Sequence, residues 1–480
     1  MNKKVIFHIM GILLMIESFF LLISMLISLI YGGSDLFSFF ISMLISASVG
    51  FLSYILTLKS KKKLARREAY IICFLVWVIF SLFGSLPFYF SGHIPFYTDA
   101  FFETMSGFTT TGASILNDIE SLPKGLLFWR SLTQWMGGMG IILMSLAILP
   151  ILGIGGMQLF IAEVPGPTLD KLHPRIKETA KRLWGIYILF TFLEVIFLMF
   201  GGMSLFDSVC HSFTTMATGG YSNYNTSLIN VSPYIQSVVI IFMFIAGTNF
   251  SLSFFALNGK FNKIWKNEEF RYYFAFTLLF TFVISAVLMQ NGKQSLGKSF
   301  LDSLFQVVSL MTTTGYATAD YLSWGHFPIV ICFIVMFFGG SAGSTGGGIK
   351  IVRILLILKN SALELKRLIH PSAIIPLRLN KKVVRPEIFT NILAFLVLYI
   401  LIFVMGTLAM SILGSDLDTA MGATIASLGN IGPGIGDVGP MSNFSEISFV
   451  GKWILSLLML MGRLELFTVL VIFSPYFWKK

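Results

Sequence analysis

The stretch DAFFETMSGFTTTG at residues 99–112 contains the pattern that decides the fold. An aspartate opens an apolar segment about as long as one short helix, and the segment ends at a glycine within a small polar run. Three more copies follow, each between two longer apolar stretches: DSVCHSFTTMATG at 207–219, DSLFQVVSLMTTTG at 302–315 and DTAMGATIASLGNIG at 418–432. Repetition at this spacing is a fold-level signal, and it predicts four half-length helices among full membrane spans.

The composition is typical of a membrane protein. The 480 residues are 55% hydrophobic and 12% charged, with a mean hydropathy of +0.82. A bilayer span needs about 20 mostly apolar residues, and ten are predicted: 5–31, 36–58, 69–90, 127–150, 184–203, 233–257, 271–290, 326–358 (interrupted), 388–413 and 449–474. The three cysteines lie in apolar segments without ligand spacing, so they predict neither disulfides nor a metal site.

The basic residues fall almost entirely on one set of connections. Twenty-eight of the 34 Lys and Arg residues lie in 3–4, 59–67, 171–182, 260–271, 350–385 and 479–480. With ten spans and four segments that enter and return, these connections share one side of the membrane, and the positive-inside rule makes that side the cytoplasm. The net charge of +11 therefore indicates topology rather than nucleic-acid binding. Both termini are predicted to be cytoplasmic.

The repeated phrase suits a site for a cation. Aspartate at a helix start caps free N–H groups and favours the positive end of the helix dipole, so the four aspartates are expected to begin half-helices at the outer side. A glycine at each opposite end permits backbone angles that aim carbonyl oxygens inward. Four such turns form a ring that replaces the hydration shell of a permeating cation. The predicted filter residues are Thr110, Thr111, Gly112, Ala217, Thr218, Gly219, Thr313, Thr314, Gly315, Asn430, Ile431 and Gly432.

We therefore predict an all-α membrane protein. Two leading transmembrane helices precede four span–half-helix–span pore repeats, arranged pseudo-fourfold around one ion pathway. A short amphipathic helix is expected near 361–369. The predicted units are 1–67 (two N-terminal helices), 68–182 (repeat 1), 183–269 (repeat 2), 270–386 (repeat 3, with a glycine-rich interrupted helix and a cytoplasmic loop) and 387–480 (repeat 4).

The eighth span is interrupted by GGSAGSTGGG at residues 339–348. Six glycines in ten residues disfavour a helix interior, at about 1 kcal/mol each against alanine. A phosphate-binding P-loop is not indicated, because Lys350 follows Ile349 rather than glycine and no strand precedes the run. We predict a loop lodged under the filter that obstructs the ion path when closed. Close packing of small residues between helices is the alternative.

Arg463 lies within the last apolar span, in MGRLEL at 461–466. An arginine inside the membrane is costly and is a functional hypothesis by default. Facing the pathway below the filter, its charge would repel a cation and set a barrier. The alternative is a structural ion pair with Glu465, Glu194 or Glu103.

At these residues the chain resembles a known family, the potassium-transporting membrane subunits of the Trk/Ktr/HKT superfamily, and especially its bacterial TrkH-type members. The resemblance rests on the four filter segments, on 339–348 followed by Lys350, and on Arg463, and it covers essentially the whole chain. The two extra N-terminal spans are similar to the TrkH type rather than to the shorter KtrB type. In this family glycine at all four filter positions goes with potassium preference, and the four are here Gly112, Gly219, Gly315 and Gly432.

The resemblance implies potassium uptake by a channel-like subunit of the bacterial inner membrane. It also implies a homodimer with one pore per protomer and a cytoplasmic ring of RCK-type, TrkA-like regulatory subunits. Nucleotide is expected only on that partner; no cofactor and no nucleic acid is expected on this chain, whose other partner is membrane lipid. The expected gate residues are Gly343, Gly346, Gly347, Gly348, Lys350 and Arg463.

Two other functional classes are alternatives. A membrane-embedded enzyme would need a nucleophile–base or metal constellation at one depth, and the sequence contains none, so we do not predict an enzyme. A symporter that couples potassium to protons or sodium is the second, and the sequence leaves passive and coupled transport open. Symport of organic solutes is disfavoured because no inverted repeat is visible.

Overall fold

The structure is a computed structural model that describes residues 2–58, 66–143, 173–290 and 295–479. Within these ranges the protein is mostly helical. The strands found there form two short pairs. Strand β1 (Phe338–Gly339) lies parallel to β2 (Ile349–Lys350), and β3 (Arg378–Leu379) lies antiparallel to β4 (Lys382–Val383).

Two leading helices, α1 (Lys3–Ile30) and α2 (Leu36–Leu56), pack along each other as a hairpin. Their backbones meet at two glycines, because a Cβ atom on Gly11 would lie 2.7 Å from the Gly50 carbonyl oxygen. Small residues allow this kind of close helix contact in membranes. Helix α1 also packs against the first repeat, which anchors the hairpin to the rest of the molecule.

Each of the four repeats then contains a long first helix and a half-helix. In repeat 1 the first helix is α3 (Arg66–Gly84), which α4 (Leu86–Phe90) continues. In repeats 2 to 4 the first helices are α7 (His173–Phe200), α12 (Glu268–Gln290) and α16 (Pro386–Ile412). The half-helices are α5 (Tyr97–Phe108), α8 (Leu205–Met216), α13 (Leu296–Met311) and α17 (Leu417–Leu428). Nearly every residue in the last two turns of each half-helix is buried, as backbone that ends at membrane depth requires.

The helices that follow the half-helices are shorter or broken. In chain order they are α6 (Lys124–Leu143); α9 (Pro233–Ala246) with α10 (Phe250–Leu257); α14 (His326–Val335) with α15 (Ile351–Ile369); and α18 (Phe449–Arg463) with α19 (Phe467–Phe473). Two further short helices are α11 (Phe261–Trp265) and α20 (Pro475–Trp478).

The described ranges contain fewer unbroken spans than the ten predicted. Six helices in the described ranges are long and apolar enough to cross a membrane, and two bent pairs bring the number to eight. The predicted spans at 233–257 and 449–474 are each broken in the structure, because the chain turns by 110° and 119° within them. The predicted interruption of 326–358 is confirmed, and 127–150 lies partly outside the described residues.

Local chemistry explains both unexpected bends. In the second repeat, the Asn249 side chain accepts a hydrogen bond from the Ser251 N–H at 2.8 Å and so caps a new helix. In the fourth repeat, Glu465 and Leu466 have φ of 56° and 54°, which ends the right-handed helix after Arg463. Arg463 is therefore the last residue of a helix and does not lie within a continuous span.

The aspartates do not cap the half-helices as expected. Three of them, Asp99, Asp207 and Asp418, lie inside the first turn, where they still favour the helix dipole. The N-cap of α8 is Ser204, whose hydroxyl accepts from the Asp207 N–H at 3.1 Å. Asp302 lies further along α13, because that half-helix begins earlier, at Leu296.

The segment after the glycine-rich interruption differs from the predicted short helix at 361–369. Helix α15 runs without a break over 19 residues, and the predicted helix is its last half. It is followed by the β3–β4 hairpin, whose two turn residues Asn380 and Lys381 both have positive φ, the geometry of a tight hairpin turn.

Candidate functional site

The four half-helices end in turns of one shape. We call the turns at 109–112, 217–220, 312–315 and 429–432 bends 1 to 4. The second residue of each bend has a left-handed φ: Thr110 52°, Thr218 52°, Thr313 59° and Asn430 54°. The fourth residue is a glycine with positive φ: Gly112 84°, Gly220 75°, Gly315 86° and Gly432 101°.

The backbone hydrogen bonds of the bends correspond as well. The third residue of each bend donates its N–H to a carbonyl five residues earlier: Thr111 to Ser106 and Gly219 to Thr214 at 2.8 Å, Thr314 to Ser309 and Ile431 to Ala426 at 2.9 Å. The four bends are therefore equivalent in main-chain geometry, although their side chains differ.

This equivalence corrects the predicted alignment of the second copy. Gly219 was expected to supply the unusual backbone angles, but the glycine with positive φ is Gly220. Gly219 occupies the place of Thr111, and Ala217 occupies that of Thr109 at the end of the half-helix. All four bends still end in glycine.

The bends meet around one point. A Cβ atom placed on any of the four glycines would approach a carbonyl oxygen of the next bend, in the order 1, 2, 3, 4 and back to 1. The contacts are Gly112 with Gly219 at 2.1 Å, Gly220 with Thr314 at 1.8 Å, Gly315 with Ile431 at 1.9 Å and Gly432 with Thr111 at 2.9 Å. The third-residue carbonyls thus form a closed ring, and no side chain fits between neighbouring bends.

A cavity of about 350 Å³ lies on one side of this ring. All four of the bend glycines line it, together with polar groups from the loops that follow the half-helices, among them Asn117, Asn225 and Ser442. The cavity is partly open to the outside of the molecule, and polar groups form about half of its lining.

The glycine-rich loop (336–350) lies against the other side of the ring. The Gly347 N–H donates to the Thr313 hydroxyl at 2.7 Å, and a Cβ atom on Gly347 would lie 2.4 Å from the Gly429 carbonyl oxygen. Thr345 reaches the second repeat, donating its hydroxyl to the Met216 carbonyl at 3.1 Å. The loop therefore contacts the ends of three half-helices.

Arg463 is tied to this loop. Arg463 is 2% exposed, and its guanidinium donates to the Thr345 carbonyl at 2.7 Å and to the Gly137 carbonyl at 3.1 Å. No carboxylate of the described residues lies within ion-pair distance of it. The alternative of an ion pair with Glu465, Glu194 or Glu103 is not realised. Glu465 pairs with Arg353, Glu103 pairs with Arg130 at 2.6 Å, and Glu194 forms no ion pair within the described ranges.

The remaining loop residues fix its ends. The Lys350 ammonium donates to the Gly346 carbonyl, inside the loop itself. Gly343 and Gly348 have φ of 76° and 61°, so they supply turns that other residues rarely make. The predicted residues of the loop and Arg463 thus form one contact network directly below the bends.

Several contributors to the site were not predicted. Thr345 lies inside the glycine run, yet its side chain and carbonyl join the loop to the second repeat and to Arg463. Glu269 accepts from the Ala342 N–H at 2.7 Å, and Gln134 contacts bend 2. A polar side chain in an apolar stretch is the signal that could have indicated Glu269 and Gln134. Their partners, however, are distant in sequence.

Comparisons with known proteins agree with this architecture. A sequence model of the TrkH family, described as a cation transport protein, matches residues 35–480. The chain is 41% identical to the Trk system potassium uptake protein TrkH of Escherichia coli K12 over 487 residues, and 34% identical to TrkG of the same organism over 482 residues. The match to TrkH covers all of both chains, and the match to TrkG covers 100% of this chain and 99% of TrkG. The crystal structure of the potassium transporter TrkH from Vibrio parahaemolyticus matches over 100% of both chains, with 36% identity and a TM-score of 0.91.

Proposed function

The chain belongs to the TrkH family of cation transport proteins, and from this premise we propose that it is the potassium-conducting membrane subunit of an uptake system. Its family and relatives are membrane cation transporters and not enzymes. The observation that carries the proposal is the closed ring of four main-chain carbonyls between an outer cavity and an inner loop.

In this proposal the ring is the selectivity filter. A potassium ion enters the outer cavity, loses water, and is coordinated by main-chain oxygens of the bends. The C-terminal ends of the half-helices point at the same place and contribute partial negative charge. The proposed ligands are those predicted, except that Gly220 replaces Ala217 in the second bend: Thr110, Thr111, Gly112, Thr218, Gly219, Gly220, Thr313, Thr314, Gly315, Asn430, Ile431 and Gly432.

The glycine-rich loop and Arg463 form the proposed gate. Two hydrogen bonds hold the guanidinium to the loop and to the first repeat. In this proposal its positive charge repels an ion that has passed the ring. Opening then requires the loop to leave the half-helix ends and Arg463 to lose these partners. The gate residues are those expected from the sequence: Gly343, Gly346, Gly347, Gly348, Lys350 and Arg463.

The assembly is proposed by analogy with the family. We infer a homodimer, with the division into two leading helices and four repeats set out above, in the inner membrane with both termini cytoplasmic. A nucleotide-binding RCK-type subunit is the proposed regulator. The cytoplasmic end of α15 offers it exposed groups connected directly to the gate, because the same helix begins at Ile351, next to the loop.

Reversal potentials test the proposal. The purified full chain would be placed in a planar bilayer under separate gradients of potassium, sodium and protons, beside a variant that lacks residues 343–347, so that a closed gate is not mistaken for the absence of a pore. We expect the potential to follow the potassium gradient. A potential set by the proton or sodium gradient in fixed stoichiometry with the potassium gradient would show coupled transport, whereas a small shift with the sodium gradient alone measures sodium permeability. No potassium-dependent current in either protein would refute the proposed function.

A further inference from the structure

Gly219 has no backbone reason to be glycine. Its φ is outside the left-handed region that Thr218 and Gly220 occupy. Yet a Cβ atom there would lie 2.4 Å from both Cδ and Oε1 of Gln134. The space that belongs to a side chain at this position is therefore filled by Gln134, which comes from α6 of the first repeat.

The Gln134 carboxamide makes two hydrogen bonds to bend 2. Its Nε2 donates to the Gly219 carbonyl at 2.7 Å, and its Oε1 accepts from the Tyr221 N–H at 3.1 Å. A backbone N–H only donates, so the atom facing Tyr221 is the amide oxygen and the orientation of the carboxamide is fixed. Gln134 is fully buried, and a lost partner would leave a buried polar group unsatisfied.

The other bends are held by their own side chains. In bends 1 and 3 the first and third residues share a hydrogen bond between hydroxyls, Thr109 with Thr111 and Thr312 with Thr314, both at 2.8 Å. In bend 4 the Asn430 amide donates to Thr111 at 3.0 Å and to the Met459 carbonyl at 2.8 Å. Bend 2 has Ala217 and Gly219 at the corresponding places, so it has no such pair.

We infer that Gln134 is a specificity-determining residue of the filter, which positions the second quarter of the carbonyl ring from outside its own repeat. The inference rests on the proposed function, because the Gly219 oxygen is the one that approaches Gly112 in the ring. The hydrogen bond uses one of the two lone pairs of this oxygen and fixes its direction. A smaller cation needs the ring oxygens to move inward, and an oxygen held by Gln134 resists that movement.

Gln134→Met tests the inference, because it retains the length of the side chain and removes both hydrogen bonds. We expect the sodium-to-potassium permeability ratio of the full chain in a planar bilayer to rise about two- to tenfold, the range of one or two hydrogen bonds. The matched control is Gln236→Met, which removes a buried glutamine hydrogen bond to the Leu228 carbonyl, away from the ring. This control is expected to keep the wild-type ratio.

Gln134→Glu separates hydrogen bonding from packing. A protonated carboxyl can donate to Gly219 and accept from Tyr221, whereas a carboxylate only accepts. We expect the ratio of this variant to be near the wild-type value at acid pH and to rise toward that of the Met variant at alkaline pH. An unaltered ratio in Gln134→Met, or the same shift in both variants at every pH, would overturn the inference.

The reciprocal change at Gly219 gives a second, independent measurement. Gly219→Ala should displace the carboxamide and raise the ratio as Gln134→Met does. Combining Gly219→Ala with Gln134→Ala should add little to Gln134→Ala alone, because the contact is already lost. Gly185→Ala is the control, since no atom lies within 4 Å of a Cβ there. Additive effects of the two substitutions would contradict the contact.

The outcomes distinguish this inference from the proposed function. If the wild-type protein conducts without preferring potassium, the proposed filter fails. If the wild-type protein prefers potassium and the folded Gln134→Met variant prefers it equally, only the role of Gln134 fails. Folding of each variant is verified by its thermal unfolding and its elution volume.

Discussion

In each bend, one residue that carries a side chain adopts a left-handed φ, and so does the glycine two positions later. Such residues cost of order 1–3 kcal/mol each and persist only where the surroundings fix them. Here the surroundings are other parts of the site. Asn430 bonds to Thr111 of the first bend, and the Thr313 hydroxyl accepts from the loop. Two of the strained residues therefore also connect one bend to another or to the glycine-rich loop.

Gly112→Ser should weaken the discrimination of potassium against sodium. Its φ of 84° disfavours a side chain, and its Cβ atom would meet the Gly219 oxygen at 2.1 Å, so the ring must widen or distort. Relative permeability from reversal potentials measures the change. Gly92→Ser is a matched control, because Gly92 has a similar φ of 76° but no atom within 4 Å of a Cβ. An equal effect of both substitutions would count against the filter.

Arg463→Ala should raise the potassium flux severalfold. The substitution removes a positive charge and two hydrogen bonds, one from the last repeat to the loop at Thr345 and one to the first repeat at Gly137. Arg463→Lys keeps the charge but loses the planar group that reaches two carbonyls at once, so it separates the electrostatic barrier from the contact with Thr345. Rubidium uptake into liposomes measures the flux. A well-folded Ala variant with unchanged or lower flux would show that Arg463 only packs.

At the scale of elements, the helices that follow half-helices 2, 3 and 4 all break near the bends. Repeat 3 does so through glycines, repeat 2 through an asparagine cap, and repeat 4 through two left-handed residues. Glu465, one of these two, pairs with Arg353 of α15, so the break between α18 and α19 is joined to the helix that follows the glycine-rich loop. Movement of α15 would therefore reach the loop and Arg463 together.

Deleting residues 343–347 should leave a conducting protein with a larger flux. The deletion removes Thr345 and the glycines that contact bends 3 and 4, while the bends keep their own hydrogen bonds. Current at a fixed potassium gradient measures the effect, and the permeability ratio serves as an internal control, because the ring is not altered. If the deletion variant folds and conducts no more than the wild type, the loop is not part of the gate.

Sequence patterns indicated the elements better than their contacts. The four copies, the glycine-rich interruption and Arg463 are local signals, and the structure brings their residues together. The choice between Gly219 and Gly220 depends on φ, which two adjacent glycines leave undetermined. The break after Arg463 has no glycine or proline, so an apolar run concealed it. Gln134 was missed because its partner lies 85 residues away, and no spacing rule connects them.

At the scale of the whole molecule, the four repeats must close on one another, and the last seam joins repeat 4 to repeat 1. Lys452 of α18 pairs with Asp99 of α5 at 2.7 Å and also donates to the Ser445 carbonyl at 3.0 Å. The Lys452 side chain is 7% exposed and that of Asp99 is 21% exposed. Asp99 lies on the half-helix that carries bend 1, so the pair with Lys452 holds the first and fourth quarters of the ring together.

Lys452→Met should lower the stability of the whole chain. Breaking a fully buried ion pair costs about 3–5 kcal/mol, and the partial exposure of Asp99 reduces our expectation to about 2 kcal/mol. Thermal unfolding of the detergent-solubilised protein measures it, with Lys298→Met, at an exposed lysine, as the control. An unchanged melting temperature for Lys452→Met would show that the seam does not depend on this pair.

All four bends of the ring belong to one chain, and their sequences are not all alike. Since a single polypeptide supplies every quadrant, a mutation alters only one wall of the opening, whereas in a channel built from four identical subunits it would recur on all of them. If the ring is the filter proposed above, preference among alkali metals can evolve gradually, one quadrant at a time. The unlike sequences Thr-Thr-Gly, Thr-Gly-Gly and Asn-Ile-Gly around a common main-chain path are what such stepwise adjustment would leave behind.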